Sequence, residues 1–188
     1  MASERNHSPR DVPDSCFVGV GLNPDVDQLR AALHVYRAAR DEFLAALDCS
    51  GSNRDPFSEF AERVALAALG GTLAASRTQK GWDLMDPEGR RVQVRYLANP
   101  IGPWVNGHLI DFRGDTCDRY ALVIFEGLDA KSMLVFDQSQ MASICALLSK
   151  RHPNQEHTLQ LGQANYRAIM NDPQRFAGLG VHVLNLAP

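Results

Sequence analysis

The sequence predicts a three-layer α/β domain in which a central mixed β-sheet is flanked by helices. Helical segments come first, strands follow, and helical segments return before a closing strand, which is the order of a layered α/β domain. The segment Arg119–Glu126 has a continuous apolar centre, as expected for a strand that is buried on both faces of a sheet. A chain of 188 residues with 45% apolar residues is long enough to form one domain with a substantial core.

The N-terminal part of the chain is predicted to contain a leader, a short strand and a long helix. Residues 1–15 are rich in serine, proline and charge, which is typical of a disordered leader, and residues 16–188 are predicted to form a single domain. Cys16–Leu22 is predicted to be a short strand or a segment docked on the domain. Asn23 and Pro24 then provide an N-cap and a favourable first residue for a helix. Apolar side chains recur along this helix at spacings of three and four, so it is predicted to be amphipathic: Leu29, Leu33, Tyr36, Phe43, Leu44 and Leu47.

A second helix is predicted from Asp55 or Pro56 to Leu69. Aspartate is a favourable N-cap, proline suits the first helical position, and the pair Gly70 and Gly71 ends the helix. The elements beyond the middle of the chain are assigned in the same way from periodicity and turn residues. The predicted strands are 107–112, 119–126, 132–136 and 181–186, and the predicted helices are 140–150, 163–170 and a short one that begins at 172.

Residues 81–96 are predicted to form a β-hairpin. Its turn, Asp86–Gly89, has aspartate at the first position, proline preset for the second and a glycine that can adopt a positive φ. These residues favour a three-residue loop, in which a type I turn is followed by a left-handed Gly89, so that Asp86 pairs with Arg90. A two-residue turn would shift the register by one residue and scatter the polar side chains. The prediction of a site on this hairpin therefore depends on the turn type.

The three-residue loop gathers polar groups on one face of the hairpin. It places Asp83 directly opposite Gln93, with Arg95 as the diagonal neighbour on the same face. Directly opposed Cβ atoms lie about 4.5–5.5 Å apart, so that a carboxylate and an amide oxygen can share one small cation. The other face is apolar and suited to packing on a core: Trp82, Leu84, Val92, Val94 and Tyr96.

The hairpin and the helix before it resemble a known nuclease superfamily. Glu59 and Glu62 are three residues apart and share one side of the second helix. A helix with an acidic residue, then Gly-x-Asp-Leu, a turn and Gln-x-Lys is the layout of the PD-(D/E)XK nucleases, and in particular of their Mrr-like branch. Here Gly81–Leu84 and Gln93–Arg95 occupy these places. The resemblance covers residues 57–97 and implies a restriction-endonuclease-like fold.

The resemblance implies an endonuclease that hydrolyses DNA phosphodiester bonds with Mg²⁺, or with Mn²⁺ in its place, as in restriction or defence systems. The implied metal ligands are Asp83, Gln93 and either Glu59 or Glu62, and these residues together with Arg95 form the expected catalytic set. Arg95 stands where the family has a lysine. A guanidinium can stabilise charge on a phosphate, but it cannot accept a proton. The alternative is a catalytically inactive module with the same fold that binds nucleic acid or a partner protein.

Basic side chains are concentrated around the hairpin, although the formal net charge of the chain is −3. Phosphate contacts from such residues position a nucleic acid without reading its sequence. The alternative is that they only solvate the ends of strands. Trp104 lies in a loop rich in glycine and proline, where it is expected either to stack on a base or to pin its loop to the domain. The predicted nucleic-acid-binding residues are Arg77, Lys80, Arg90, Arg91 and Trp104.

Cysteine usage and hydropathy indicate where the protein acts. The four cysteines are scattered without paired spacing and form no zinc motif, which favours reduced structural thiols. No apolar run approaches the length of a membrane span, and the N-terminus is polar, so a cytoplasmic protein with no membrane partner is predicted. By analogy with small nucleases that cut both strands, a homodimer or a partner subunit is expected.

Overall fold

The computed structural model describes residues 24–76, 81–99, 104, 107–111, 116–148 and 158–186. Contacts divide the chain into two compact units, residues 1–40 and 41–188. The predicted leader over residues 1–15 and the predicted strand Cys16–Leu22 lie outside the described residues.

The described residues form helices and strands close to those predicted. The helices are α1 (Pro24–Ala46), α2 (Pro56–Leu69), α3 (Met141–Leu148), α4 (Gln163–Asn171) and α5 (Pro173–Ala177). The strands are β1 (Thr72–Leu73), β2 (Leu84–Met85), β3 (Arg91–Asn99), β4 (His108–Asp111), β5 (Arg119–Glu126), β6 (Asp129–Asp137), β7 (Thr158–Leu161) and β8 (Val181–Asn185). The strands β1 and β7 were not predicted, because segments of two and four residues carry too few positions to show a period.

The predicted mixed sheet is confirmed. Six strands are arranged in the order β1-β2-β3-β5-β6-β8, in which β3 and β5 run parallel and the other neighbours run antiparallel. The two remaining strands, β4 and β7, pair antiparallel in a small separate sheet. Residues Ala121–Phe125 of β5 are buried, so the apolar centre of this strand is covered on both faces as predicted.

Helices cover both faces of the six-stranded sheet, which gives the three layers. On one face, Ala61 and Ala65 of α2 pack into an apolar cluster with Val94 and Val123 of the central strands. On the opposite face, α3, α4 and α5 contribute to a second cluster around Leu122 and its neighbours in the sheet. Because side chains alternate along each strand, the first cluster receives even-numbered residues of β3 and odd-numbered residues of β5, and the second receives Leu97 of β3 and even-numbered residues of β5. The α/β class with helices on both sides of a mixed sheet is therefore confirmed.

The long helix α1 is confirmed, but much of its apolar stripe is exposed. Leu44 is buried, whereas Leu29, Leu33 and Tyr36 are 70%, 64% and 59% exposed. The spacing of apolar residues by three and four positions therefore predicted the helix. It did not show what these apolar side chains pack against.

The predicted three-residue hairpin loop is confirmed. The Gly89 N–H donates to the Asp86 carbonyl at 3.0 Å, the Asp86 N–H donates to the Arg90 carbonyl at 3.0 Å, and Gly89 has a φ of +77°. The carboxylate of Asp86 accepts hydrogen bonds from the main-chain N–H groups of Glu88 and Arg90. Burial by itself would raise the pKa of Asp86, but these hydrogen bonds and the charges of Arg90 and Arg119 hold that pKa below its usual value. The turn is thus stabilised by its own side chain.

Replacing Gly71 by alanine should destabilise the protein strongly. Gly71 has a φ of +93°, and a Cβ there would overlap the Met85 carbonyl oxygen and lie 2.8 Å from the Asp86 Cα. Backbone strain and overpacking together should lower the free energy of unfolding by about 2–5 kcal/mol. Gly51→Ala is the control, because Gly51 has a φ of +78° with no atom near the added methyl group. Urea unfolding of both variants checks the prediction, and equal losses would contradict the role of close packing at Gly71.

Candidate active site

The side chain of Asp83 contacts the side chain of Gln93, as the sequence predicted, although the regular register of the hairpin ends at Leu84. Leu84 pairs with Val92, and the N–H of Asp83 donates to the Val92 carbonyl at 2.8 Å. The Oδ2 atom of Asp83 accepts hydrogen bonds from the side-chain amide of Gln93 and, at 2.7 Å, from the main-chain N–H of Val94. The carboxylate is therefore held in place by the strand on which the predicted partner residues lie.

Arg95 contacts the Asp83 carboxylate from the solvent side. Its Nη1 atom donates to Asp83 Oδ2 at 3.2 Å and to the main-chain carbonyl of Val94 at 2.7 Å. One guanidinium nitrogen thus joins a carboxylate oxygen and a carbonyl oxygen. The Arg95 side chain is 48% exposed, so it can leave these oxygens without disrupting a core.

Glu59 is buried at the base of α2 and is held by several side chains. One carboxylate oxygen accepts a hydrogen bond from Ser52 at 2.9 Å, and the other accepts from the Cys49 thiol at 3.2 Å. Two guanidinium groups, of Arg54 and Arg63, lie 3.6 Å and 3.4 Å from its oxygens. These contacts connect the segment before α2 to the helix, so Glu59 has a structural role.

Glu62 is also buried, and it is paired with Arg54. The Arg54 guanidinium donates to the Glu62 carboxylate. This hydrogen bond raises the pKa of Arg54, and the negative charges of Glu62, Glu59 and Asp83 raise it further against the effect of burial. The structure thus brings the helix glutamates and the hairpin aspartate within electrostatic reach of one guanidinium. Arg54 was missed in the sequence, because the loop that carries it has no motif.

A histidine–tyrosine pair adjoins the site and was also missed. The Nε2 atom of His108 lies 2.6 Å from the Tyr120 hydroxyl, and Tyr120 is the register partner of Gln93 on the parallel pair β3 and β5. Burial and the positive charge of Arg95 lower the pKa of His108 to about 4, so its imidazole is neutral at neutral pH. Burial also raises the pKa of Tyr120. His108 and Tyr120 are on different strands, and no sequence spacing indicates their contact.

The arginines at the turn end of the hairpin are engaged with carboxylates. Arg90 forms ion pairs with Asp86 at 2.7 Å and with Glu88 at 2.6 Å. Arg91 binds Asp118 through both its main-chain N–H, at 2.7 Å, and its guanidinium, at 3.1 Å. The hydrogen bonds from Arg91 lower the pKa of Asp118, so this pair is charged at neutral pH. These contacts account structurally for both arginines, whose predicted role in binding phosphates stays a prediction.

The other predicted nucleic-acid contacts are a loop tryptophan and two further basic residues. Trp104 donates from Nε1 to the Glu126 carboxylate at 2.9 Å, and its ring stacks on Tyr166 with the centroids 4.8 Å apart. The ring therefore packs against the domain, in line with the pinning alternative. Arg77 and Lys80 lie outside the described residues.

The oxygen atoms around Asp83 are of the kind that Mg²⁺ prefers, namely a carboxylate, a side-chain amide and a main-chain carbonyl. Within the described ranges, no cluster of three or more His, Cys, Asp or Glu residues is arranged to hold a metal ion. In the structure, the neutral Gln93 amide and the cationic Arg95 guanidinium both donate hydrogen bonds to Asp83 Oδ2. Binding of a hard cation here would require the Gln93 amide to present its oxygen and Arg95 to turn away from Asp83.

No helix in the described part of the chain is long and apolar enough to cross a membrane. In comparisons with known proteins, no model of a protein family matches the chain, and no curated protein matches its sequence.

Proposed function

We propose that the chain is a Mg²⁺-dependent nuclease that hydrolyses phosphodiester bonds of DNA, with Mn²⁺ as a substitute. The supporting observation is the convergence of the Asp83 carboxylate, the Gln93 side chain, the Val94 carbonyl and the Arg95 guanidinium at one end of the hairpin. Oxygen ligands beside a mobile positive group are what phosphodiester hydrolysis requires.

The residues have distinct roles in this proposal. Asp83, the Gln93 amide oxygen and the Val94 carbonyl would hold Mg²⁺, and Glu62 is a better candidate than Glu59 for the acidic group from the helix, because Glu59 has several structural partners. The bound ion supplies an activated water and neutralises the leaving oxygen. Arg95, once released from Asp83, binds an oxygen of the phosphate. Since a guanidinium cannot accept a proton, the proton of the water passes to solvent or to a phosphate oxygen.

A second candidate function is supported by the same arginine. Arg95 Nη1 contacts both the Asp83 carboxylate and the Val94 carbonyl, which are two of the oxygens that a metal ion needs. A guanidinium that remains there permanently would replace the metal. The chain would then be a nuclease-fold module that binds nucleic acid or a partner protein without cutting.

Titration calorimetry of Mg²⁺ and Mn²⁺, combined with plasmid nicking, tests the proposal. We expect saturable binding and nicking by the wild type, and loss of both in Asp83→Ala. Asp129→Ala is the control, because the Asp129 side chain is 77% exposed and pairs only loosely with Lys131 at 3.4 Å. Binding without nicking would favour the second candidate. Absence of metal binding in the wild type would overturn the metal site at Asp83 and Gln93.

We also propose the cytosol as the place of action and a restriction or defence system as the context. The described cysteines Cys49, Cys117 and Cys145 are buried thiols, as is usual in a reducing compartment. Cutting both DNA strands at one place would require two copies or a partner subunit. Linear plasmid as the first product would support paired action, whereas accumulation of nicked circles would show that one copy acts at a time.

A further inference from the structure

Helix α1 displays a row of apolar side chains to the solvent. Leu29, Leu33 and Tyr36 are between 59% and 70% exposed and are spaced by four and three residues. Val26 precedes Leu29 by three residues and extends the same row. Single exposed apolar residues are common on surfaces, but a contiguous row along one helix is typical of an interaction site.

The spacing of this row is that of a coiled-coil seam. Alternating intervals of three and four place Val26 and Leu33 at the a positions of a heptad repeat, and Leu29 and Tyr36 at the d positions. A row with this spacing is best covered by another helix with the same spacing. A second copy of α1 meets that condition in both period and length.

We propose that α1 binds α1 of a second copy of this chain as a parallel two-stranded coiled coil. The flanking charges favour the parallel direction. Asp25 occupies a g position, and Arg37 and Arg30 occupy e positions, Arg30 also forming an exposed ion pair with Asp27 of its own helix at 3.6 Å. A parallel pair brings g positions beside e positions of the other helix, so Asp25 approaches Arg30 of the second copy, whereas an antiparallel pair brings the arginines of the e positions together.

The length of the seam limits the strength of this association. After Tyr36 the next a position holds Arg40, and a polar residue at one a position specifies register at a cost in stability. Short coiled coils of about two heptads are marginal, because helix formation has a costly nucleus. Association is therefore expected to be weak, so that the fraction of dimer depends on the protein concentration.

Sedimentation equilibrium of the full chain, without metal or nucleic acid, tests the proposal. We expect a monomer–dimer equilibrium whose dissociation constant rises about tenfold or more in Leu33→Glu, which places two like charges in the seam. Val35→Glu is the matched control, because Val35 is 72% exposed on the same helix but lies outside the seam. Far-UV circular dichroism of both variants verifies that the chain is still folded. A wild type that stays monomeric at hundreds of micromolar, as it would if residues 1–23 covered the row, overturns the proposal, and so do equal effects of the two variants.

Disulfide trapping tests the parallel direction. In a parallel pair each d position meets its own copy, so Leu29→Cys, made in a Cys16→Ser background, should form a disulfide between two copies on mild oxidation. The cysteines Cys49, Cys117 and Cys145 are buried and do not compete. Val35→Cys should not be trapped. Failure of Leu29→Cys to cross-link in a chain that is dimeric would overturn the parallel arrangement. These readouts are mass and cross-linking, so they are independent of whether the protein cuts DNA.

Discussion

Replacing Arg95 by alanine should move metal affinity and DNA cleavage in opposite directions. Arg95 competes with a metal ion for Asp83 Oδ2, and a half-exposed ion pair is worth up to about 1 kcal/mol, so its removal should tighten Mg²⁺ or Mn²⁺ binding by roughly two- to fivefold. The same change removes the group that stabilises charge on the phosphate, and cleavage should fall by about 10²–10³-fold. Titration calorimetry and single-turnover cleavage measure the two effects. Lys131→Ala is the control, because Lys131 is a basic residue of β6 that pairs with Asp129 at 3.4 Å and has no predicted role in the site.

The outcome at Arg95 also separates the two candidate functions. Weaker metal binding in Arg95→Ala would contradict competition between the guanidinium and the ion. Arg95→Lys keeps a positive charge but replaces the planar guanidinium with an ammonium group that can lose a proton. If Arg95→Lys creates cleavage that the wild type lacks, the native chain is a binding module. If Arg95→Lys leaves cleavage unchanged or lowers it, Arg95 has a role of its own in the nuclease.

Replacing Glu59 by alanine should destabilise the fold by about 3–5 kcal/mol, which is the usual cost of leaving buried charge without its partner. Glu59 is 1% exposed, and its removal leaves the guanidinium groups of Arg54 and Arg63 facing an empty space while Ser52 loses an acceptor. Glu62→Ala should cost less, because the ion pair shown for Glu62 is with Arg54, whereas Glu59 is held by four side chains.

Urea unfolding of Glu59→Ala and Glu62→Ala measures this difference in stability. Metal titration measures the difference in metal affinity between variants of the two glutamates. We expect Glu62→Gln to weaken metal binding while the free energy of unfolding stays close to that of the wild type. Equal stability of the two alanine variants would contradict the structural role of Glu59. Loss of metal binding in a folded Glu59→Gln, with Glu62→Gln unaffected, would exchange the roles of the two glutamates.

The hairpin is the part of the site that could be predicted most fully. Its turn is determined by neighbours in sequence, since Asp86 accepts hydrogen bonds from residues two and four positions further on and Gly89 adopts a positive φ. Once the loop length is set, the alternation of side chains places Asp83 beside Gln93. The N-terminus of α2 was predictable for the same reason, because the carboxylate of the N-cap Asp55 accepts a hydrogen bond from the main-chain N–H of Phe57, two residues further on.

The contacts that convert the hairpin into a site come from distant parts of the chain. Arg54 reaches Glu62 from a loop without a motif, and His108 meets Tyr120 only because the small sheet of β4 and β7 lies beside β5. Arginine is a common phosphate ligand, but in the folded chain Arg90 pairs with Asp86 and Arg91 pairs with Asp118. Sequence patterns report the type of side chain, whereas the charge that surrounds it depends on three-dimensional neighbours.

The sequence by itself determined the order of helices and strands, the turn of the hairpin and the facing pair Asp83 and Gln93, because each depends on periodicity and on contacts within a few residues. The tertiary structure decided which glutamate has a structural role and where Arg95 donates. These features depend on distances between residues that are far apart along the chain, and on the competition between cations for the same carboxylate oxygens.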